Sequence, residues 1–368
     1  MNEIQLYLAE EIASDCGHGY ITRVEALRRL RIMGVSAAVA AALLTACGAS
    51  DDRALGTTAS NQPTTDMPAA MGNAGAMAST PATGVATSPS PDEGNVTPAA
   101  PPGGMAPPAT SGTSPSMPSM LPPPANPAAM NPADVAAVTG PGMGLPTQAI
   151  TFDGPNGPLQ AAFAAAPVPR GAVLVIHENR GLNDHIRTIV GRLAAAGYAA
   201  IALDLLSEEG GTASLGEEAN ATAALGTVSP DRFVSDMRAA VDELARRFPD
   251  AKLGAIGFCF GGGMMWRLLA VEPRLASVTP FYGPLPTGAD FSAGKAAVLA
   301  FYGALDNRVT STRDAADTAL TAAGLTHQMV TFPGANHAFF NDTGMAYNAD
   351  AAAQAWVQLL TWFSQYLG

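Results

Sequence analysis

The sequence is poor in basic residues, in cysteine and in cofactor-binding motifs. Its 368 residues include 19 Lys and Arg against 31 Asp and Glu, for a net charge of −12. Because no basic stripe is available to neutralise phosphates, the composition argues against nucleic-acid binding. There are three cysteines, and no Cys/His cluster has zinc spacing. No Gly-x-Gly-x-x-Gly follows a strand and no phosphate-binding loop is present, so we expect neither a metal nor another cofactor.

Aromatic residues are absent from Gly48 to Gly140, where Pro, Ala, Gly, Ser, Thr and Met dominate. Such a stretch cannot bury enough apolar surface to offset the entropy lost on ordering. We therefore predict that residues 48–146 form a disordered linker, either a tether or a dispensable low-complexity stretch. Every Phe, Trp and Tyr other than Tyr7 and Tyr20 lies in residues 147–368. That region is long enough for one α/β core.

The first 47 residues have the pattern of an export signal. Four arginines between positions 23 and 31 precede an apolar stretch, residues 32–46, which is too short to span a bilayer comfortably. Its end, Leu44-Thr45-Ala46-Cys47, resembles a bacterial lipobox, in which the Cys becomes the lipidated first residue. We predict export and lipid anchoring through Cys47 to a membrane, on its periplasmic or cell-surface side. Arg28-Arg29 is a feature of twin-arginine export, but the sequence leaves the route open between Sec and twin-arginine export. An ordinary buried or amphipathic helix is the alternative to a signal.

The most informative motif is Gly257-Phe258-Cys259-Phe260-Gly261. An apolar strand runs into this turn, and Met264 to Val271 has the pattern of a helix. This is the nucleophile elbow of an α/β-hydrolase, with Cys where Ser is usual. Small residues flank the nucleophile because a strained strand-to-helix turn leaves no room for side chains. The amide of Phe260, at the start of the helix, is predicted to face an oxyanion formed beside Cys259.

An acid and a histidine follow in the order that this fold requires. Asp306 comes after the apolar strand 298–303, and His337 comes after the strand 328–332. Loops at the carboxyl ends of parallel strands are where such sites are built. Taken singly, a lone Cys is most often a small buried apolar residue, and a loop Asp or His is most often a turn or surface residue. Together, Cys259, Asp306 and His337 predict a catalytic triad.

The rest of the domain has alternating strand and helix patterns. Extended segments at 148–152 and 159–165 flank a hairpin turn, and buried strands at 171–176 and 198–203 flank a helix, residues 184–197. Residues 204–228 are irregular and acidic, and Ser229-Pro230 begins the next helix. Strands alternating with helices predict a mostly parallel, doubly wound sheet, the α/β-hydrolase fold.

Three stretches carry a resemblance to a known family: Ile176-His177-Glu178-Asn179-Arg180-Gly181-Leu182-Asn183, Gly257-Phe258-Cys259-Phe260-Gly261-Gly262 and Pro333-Gly334-Ala335-Asn336-His337-Ala338-Phe339-Phe340. The chain resembles the dienelactone hydrolases, the cysteine branch of the α/β-hydrolases, over about residues 147–368. The resemblance implies hydrolysis of a small ester or lactone through an acyl-cysteine. It also implies that Glu178 helps activate Cys259. Asn179 is the candidate for the second oxyanion donor, and His177 is expected to be structural.

The sequence departs from the family pattern at two positions. The best-known members clamp the substrate carboxylate with two arginines, and the matching positions here are Ser207 and Asn341. Because neither residue replaces a bidentate guanidinium, we expect a substrate other than dienelactone itself. Arg180 and Arg308 are the candidates for a substitute charge.

Two other functions remain open from the sequence. A thioesterase or peptidase can use the same scaffold, although no lid domain or peptide groove is visible. A non-catalytic binding module would have no need of the three residues Cys259, Asp306 and His337.

Overall fold

The computed structural model describes residues 1–48 and 144–368, so the predicted linker lies almost wholly outside the described residues. The described chain contains an eight-stranded sheet in the order β1-β2-β4-β3-β5-β6-β7-β8. The pairs β1/β2 and β2/β4 are antiparallel, and all other neighbouring pairs are parallel. The strands are β1 Gln148–Gly154, β2 Gly157–Ala165, β3 Ala172–Ile176, β4 Ala199–Leu203, β5 Leu253–Phe258, β6 Leu275–Phe281, β7 Ala297–Gly303 and β8 His327–Phe332.

Helices flank this sheet and also form the N-terminal region. Before the sheet come α1 Glu3–Gly17, α2 Arg23–Ile32 and α3 Ala37–Ala46. Between and after the strands come α4 Asp184–Ala195, α5 Glu218–Thr227, α6 Pro230–Arg247, α7 Phe260–Val271, α8 Asn307–Thr310, α9 Arg313–Ala322 and α10 Ala349–Tyr366. The prediction of a mostly parallel α/β sheet is confirmed.

The central strands form because their sequences are apolar on both faces. Every residue of β3, β4, β5 and β7 is buried, as expected for parallel strands covered by helices on both sides. At the edge, Gly154 pairs with Gly157 across a two-residue turn and closes the β1/β2 hairpin. The Ser229 side chain caps α6 by accepting a hydrogen bond from the Arg232 amide, with Pro230 in the first turn.

Several predicted boundaries were wrong. Residues 204–228 are not irregular throughout: they hold two short 3-10 helices and α5. Helix α7 begins at Phe260, four residues before the predicted start, because the elbow turns directly into it. The Leu145 amide donates to the Gly191 carbonyl at 2.9 Å, so the folded body already includes residues that we assigned to the linker.

The N-terminal segment is helical and packs on the hydrolase-like domain. Its apolar stretch is not one helix, since α2 ends at Ile32, Gly34 turns with a φ of 74°, and Ser36 caps α3. Helix α1 packs against α2, α3 and α5, and Ile4, Leu8 and Ile12 are among its buried residues. Within the two described ranges, no helix is long and apolar enough to cross a membrane.

The elbow between β5 and α7 is a place of close backbone contact. A Cβ added at Gly257 would lie 2.3 Å from the Gly261 carbonyl oxygen, and one added at Gly261 would lie 2.5 Å from the carbonyl oxygens of Ile176 and His177. A Cβ at Gly262 would lie 2.6 Å from the Phe281 oxygen. These neighbours are backbone atoms, which cannot move aside as a side chain can. The glycines therefore hold β5 and α7 against both adjacent strands.

This packing predicts unequal effects for two neighbouring glycines. Gly261→Ala should lower the free energy of unfolding by about 1–3 kcal/mol, the usual cost of overpacking. Gly263→Ala is the matched control, because its Cβ would meet Pro284 at an ordinary 3.6 Å and alanine favours the helix. Urea unfolding of both variants measures the difference. Equal stabilities would mean that the elbow is not closely packed.

Candidate active site

Cys259 lies at the tip of the elbow in a strained backbone conformation. Its φ is 55° and its ψ is −117°, which non-glycine residues rarely adopt. The side chain is buried, and Phe260 directly after it is the first residue of α7. The first amides of a helix have no partner within the helix, so the Phe260 N–H is available to an anion beside the sulfur. This is the arrangement predicted for a nucleophile with one oxyanion donor.

Asp306 and His337 lie together at the ends of neighbouring strands. Asp306 follows β7 and His337 follows β8, and His337 Nδ1 donates to Asp306 Oδ2 at 2.6 Å. Burial alone would lower the pKa of His337, but the Asp306 carboxylate raises it above its usual value. Burial would likewise raise the pKa of Asp306, and His337 lowers it. Asp306 also accepts a hydrogen bond from the Val309 amide at 3.2 Å, which fixes the carboxylate at the start of α8.

The thiol of Cys259 is hydrogen-bonded to a residue that was not predicted from the sequence. Cys259 Sγ lies 3.1 and 3.2 Å from the two carboxylate oxygens of Glu11, which comes from α1. The Tyr7 hydroxyl lies 3.5 Å from the same sulfur. Burial, the Glu11 carboxylate and the Glu178 carboxylate raise the pKa of Cys259 well above its usual value. In this arrangement the cysteine is a protonated thiol that donates to Glu11.

His337 Nε2 points toward the same carboxylate. It lies 3.8 Å from Glu11 Oε1 and, within the described chain, makes no hydrogen bond. Donor atoms of Glu11, Cys259 and His337 lie within 4.8 Å of one another, the only such group of possible metal ligands among residues 1–48 and 144–368. Their contacts are those of a thiol hydrogen-bonded to a carboxylate, with a histidine beside it.

Glu178 is buried at the end of β3 and is held by two donors. The Tyr282 hydroxyl donates to its Oε1 at 3.2 Å, and the Asn341 side-chain amide donates to its Oε2 at 2.6 Å. The carboxylate thus bonds to these two residues in the described structure and influences the Cys259 thiol through its charge. Asn341 stands where the family pattern has a substrate-clamping arginine, and here it orients Glu178.

The second predicted oxyanion residue, Asn179, also lies at the site. Its side-chain amide donates to Glu11 Oε1 at 2.6 Å, and its carbonyl accepts a hydrogen bond from Thr222 at 3.0 Å. The structure therefore gathers Asn179 and Cys259 around one carboxylate. A carboxylate oxygen here receives the kind of hydrogen bond that an oxyanion would receive.

The remaining predicted residues have clear positions. His177 is buried, donates from Nδ1 to the Glu178 carbonyl at 2.7 Å and accepts the Leu205 amide at Nε2 at 3.1 Å, which is a structural role. The Ser207 hydroxyl donates to the Asp204 carbonyl and accepts from the Gln160 backbone amide.

Of the two arginines proposed to supply a substitute charge, one lies at the site. The Arg308 guanidinium is 4.0 Å from Glu11 and stacks over the Tyr7 ring at 4.6 Å. Arg180 forms an ion pair with Glu218 of α5 at 3.2 Å. Arg308 therefore has the better position to attract a negatively charged group next to Cys259.

Sequence reasoning missed Tyr7, Glu11 and Tyr282. The first two belong to the segment that has the pattern of a leader, so no motif connected them with the domain. Tyr282 directly follows the sixth strand and has a positive φ of 38°. A strand end next to the nucleophile strand was the only signal for it.

The fold and the site together define an α/β-hydrolase fold with a buried cysteine at the turn between β5 and α7. The sequence matches the model of the dienelactone hydrolase family over residues 160–367. The chain belongs to this family.

Individual relatives agree with that assignment. A candidate carboxymethylenebutenolidase of Synechocystis sp. is 35% identical over 237 residues, covering 58% of this chain and 95% of its own. One from Methylorubrum extorquens is 32% identical over 226 residues, covering 57% of this chain and 77% of its own. A solved candidate dienelactone hydrolase from Klebsiella pneumoniae has a TM-score of 0.55 and 29% identity, over 60% of this chain and 99% of that chain. These relatives make the chain a hydrolase of the ester- and lactone-cleaving class.

The Asp306–His337 pair predicts a measurable titration. Asp306→Asn removes the charge that favours the imidazolium, so the pKa of His337 should fall. Because the folded pKa of His337 lies above its ordinary 6.5, the pair stabilises the fold fully below that value. The contribution is lost as the pH rises through the folded pKa. NMR titration of the His337 ring measures the shift, and Asp314→Asn at the surface is the control. An unchanged pKa would contradict the pairing.

Proposed function

We propose that the protein is a cysteine hydrolase of small esters or lactones that works through an acyl-cysteine intermediate. The observation that carries this proposal is the convergence of a strained, buried Cys259, the Asp306–His337 pair and the carboxylate Glu178 on one edge of the sheet. A protein that only binds a ligand has no need of a strained cysteine next to a histidine–aspartate pair. Membership in a hydrolase family supports the same conclusion.

The reaction begins when Cys259 loses its proton, since thiolate is the nucleophile. His337 is placed to accept that proton, and Asp306 orients the ring and stabilises the imidazolium. The sulfur attacks the carbonyl carbon, and in this proposal Phe260, through its backbone amide, and Asn179 stabilise the oxyanion. The alkoxide leaves with the proton from His337. Water then attacks the thioester, the acid is released and the thiol is restored.

Glu178 is proposed to assist the activation of Cys259. Its two carboxylate oxygens are engaged by Tyr282 and Asn341, so its position is well defined close to the thiol. A carboxylate beside a thiol can accept its proton when a bound substrate shifts one of those donors. Tyr282 and Asn341 are neutral donors, so they orient Glu178 without neutralising its charge, and the nearby Arg180 interacts with that charge.

We further propose that the natural substrate is not dienelactone itself. Ser207 is turned toward Asp204 and Asn341 toward Glu178, so neither position offers a cation to the substrate. Arg308 is the cation next to the thiol, but it lies beside Asp306, whose charge partly offsets it. A small neutral ester or lactone fits this charge balance better than an anionic lactone.

Hydrolysis by residues 144–368 tests the proposal. A solved relative is matched over 99% of its length by 60% of this chain, so a domain of this size folds by itself. We expect turnover of p-nitrophenyl acetate and a neutral lactone, with little on a dienelactone. Cys259→Ala should reduce the rate to background, and His337→Ala and Glu178→Gln should each reduce kcat by about 10²–10⁴-fold.

The controls separate the competing functions. Ser311→Ala, an exposed change at the end of α8, should leave the rates unaltered. Cleavage of thioesters or peptides in preference to esters would favour a thioesterase or peptidase. If Cys259→Ala left all turnover unchanged, the cysteine mechanism would be wrong, and an inert domain would favour a binding role.

We also propose that the protein is exported and held at a membrane by lipid on Cys47. The support is the order of arginines, short apolar stretch and Leu44-Thr45-Ala46-Cys47 in the sequence. Cleavage before Cys47 would remove α1, α2 and α3 from the mature protein. A lipidated Cys47 followed by residues 48–143 would then join the domain to the membrane surface.

Metabolic labelling in a bacterial host tests the anchor. The wild-type chain should incorporate a labelled fatty acid and appear in the membrane fraction with residues 1–46 removed. Cys47→Ala should abolish both the labelling and the membrane association, whereas Cys16→Ala, which changes a cysteine outside the lipobox-like motif, should change neither. Unlabelled, uncleaved wild-type chain would rule the anchor out.

A further inference from the structure

Helix α1 lies over the catalytic cysteine and occupies the position of a substrate. The carboxylate of Glu11 contacts Cys259 Sγ at 3.1 Å, Asn179 Nδ2 at 2.6 Å and His337 Nε2 at 3.8 Å. These are the groups that a hydrolase of this kind directs at the acyl carbon and its oxygens. We infer that the N-terminal helix is a built-in inhibitor, with Glu11 bound as a mimic of the product carboxylate, and that removing it switches the enzyme on. This inference rests on the proposed function of the same site.

The buried carboxylate of Glu11 has hydrogen-bond and charge partners in the active site. Glu11 is only 5% exposed, and a buried carboxylate is costly unless charged or hydrogen-bonding partners surround it. Cys259 and Asn179 supply hydrogen bonds, and Arg308 supplies a positive charge 4.0 Å away. The active site therefore provides what an acid group needs, which a chance contact with a surface helix would not.

Tyr7 closes the remaining access to the thiol. It lies one helical turn before Glu11, so both side chains point from the same face of α1. Its hydroxyl is 3.5 Å from Cys259 Sγ, and its ring lies under the Arg308 guanidinium. An apolar cavity of about 170 Å³ beside Tyr7 and Phe260 remains between α1 and the domain. That space would join the active site if the helix left.

An ion pair and a hydrogen bond near the active site position the N-terminal segment that contains α1. Arg267 of α7 pairs with Glu3 at 2.6 Å, and the Asn336 amide donates to the Tyr20 hydroxyl at 3.0 Å, next to His337. Beyond these, Ile4, Leu8 and Ile12 bury the apolar face of α1. These contacts hold α1 in the position in which Glu11 is hydrogen-bonded to Cys259 Sγ.

Docking of α1 blocks each step of the proposed reaction. The thiol keeps its proton, which it donates in a hydrogen bond to Glu11, so the nucleophile stays neutral. The Asn179 side-chain amide is already hydrogen-bonded to Glu11, and His337 Nε2 lies 3.8 Å from the same carboxylate. The substrate carbonyl has no route to the sulfur. If the chain is cleaved before Cys47, as proposed above, the mature enzyme loses the inhibitor and hydrolysis is confined to exported protein.

Two variants of the full chain displace the helix or remove its carboxylate. Leu8→Asp places a charge on the buried face of α1 and should release it, whereas Leu6→Asp on the same helix changes a residue that is 40% exposed. Glu11→Gln removes the charge but keeps the volume, with Glu10→Gln as its control. The Leu8 and Glu11 variants, but not the controls, should raise the rate of Cys259 alkylation by iodoacetamide at pH 7. Since one pKa unit changes the thiolate fraction about tenfold, we expect at least a tenfold increase for Leu8→Asp.

Alkylation, followed by mass spectrometry of the Cys259 peptide, does not depend on catalysis, so it tests the inhibitor even if the proposed hydrolysis fails. Hydrolysis is then compared between the full chain and residues 144–368. The shorter chain should be faster, and a synthetic peptide of residues 1–20 should inhibit it.

Equal alkylation of wild type and Leu8→Asp, with an unchanged melting temperature of the domain, would overturn the inference. A loss of hydrolysis in full-chain Glu11→Gln would also overturn it, since Glu11 would then activate the thiol. Recovery of alkylation with EDTA alone would show that a metal, not the helix, closes the site.

Discussion

The site depends on the close backbone contact at the nucleophile elbow. Gly257, Gly261 and Gly262 each lie where a Cβ would strike a backbone oxygen, so α7 can begin directly at the end of β5. That contact forces Cys259 into a φ of 55°, and the sulfur is thereby raised above the strand ends. The strain is retained because β3 and β6 pack against the turn from both sides. The roles proposed for the other groups, including His337 and the Phe260 amide, depend on their positions relative to that sulfur.

Because the Cys259 sulfur is buried, its thiolate form is disfavoured. Burial raises the pKa of Cys259, so the pocket alone favours the unreactive thiol. Activation therefore needs positive charge or a base that acts when substrate is present, and in the proposed mechanism His337, oriented by Asp306, is that base. The charges of the two nearby carboxylates, Glu11 and Glu178, both raise the pKa of the thiol. In the proposed inhibition, the thiol stays protonated until Glu11 leaves.

The sequence predicted the residues whose chemistry depends on local motifs. The elbow, the order of Cys259, Asp306 and His337, and the alternation of strands and helices all follow from short patterns next to strand ends. What it missed has a common physical cause. Glu11 meets Cys259 across 248 positions of chain, and such long-range contacts have no periodicity or spacing to reveal them. The helices in residues 204–228 were missed because the two 3-10 helices have only three and four residues, and α5 has Leu225 as its single large apolar residue, so no amphipathic pattern marks them. The Gly34 turn was read as part of one apolar run, although a glycine with a positive φ ends a helix.

The packing of the N-terminal helices on one another couples the proposed inhibition to the proposed export. Helix α1 buries its apolar face and its Glu11, whereas α3 buries only Ala40 and Leu44 and leaves Val39 37% exposed. The part of the segment that a signal peptidase would read, residues 44–47, comprises the last three residues of α3 and Cys47. Leu44 is fully buried, Cys47 is half-buried, and α3 packs against α1. Recognition of these residues therefore requires α3 to detach from α1. Because α1 is held mainly through side chains of one helix face, cutting it from the domain turns an intramolecular contact into a bimolecular one. The inhibitor then loses the effective concentration that kept it bound.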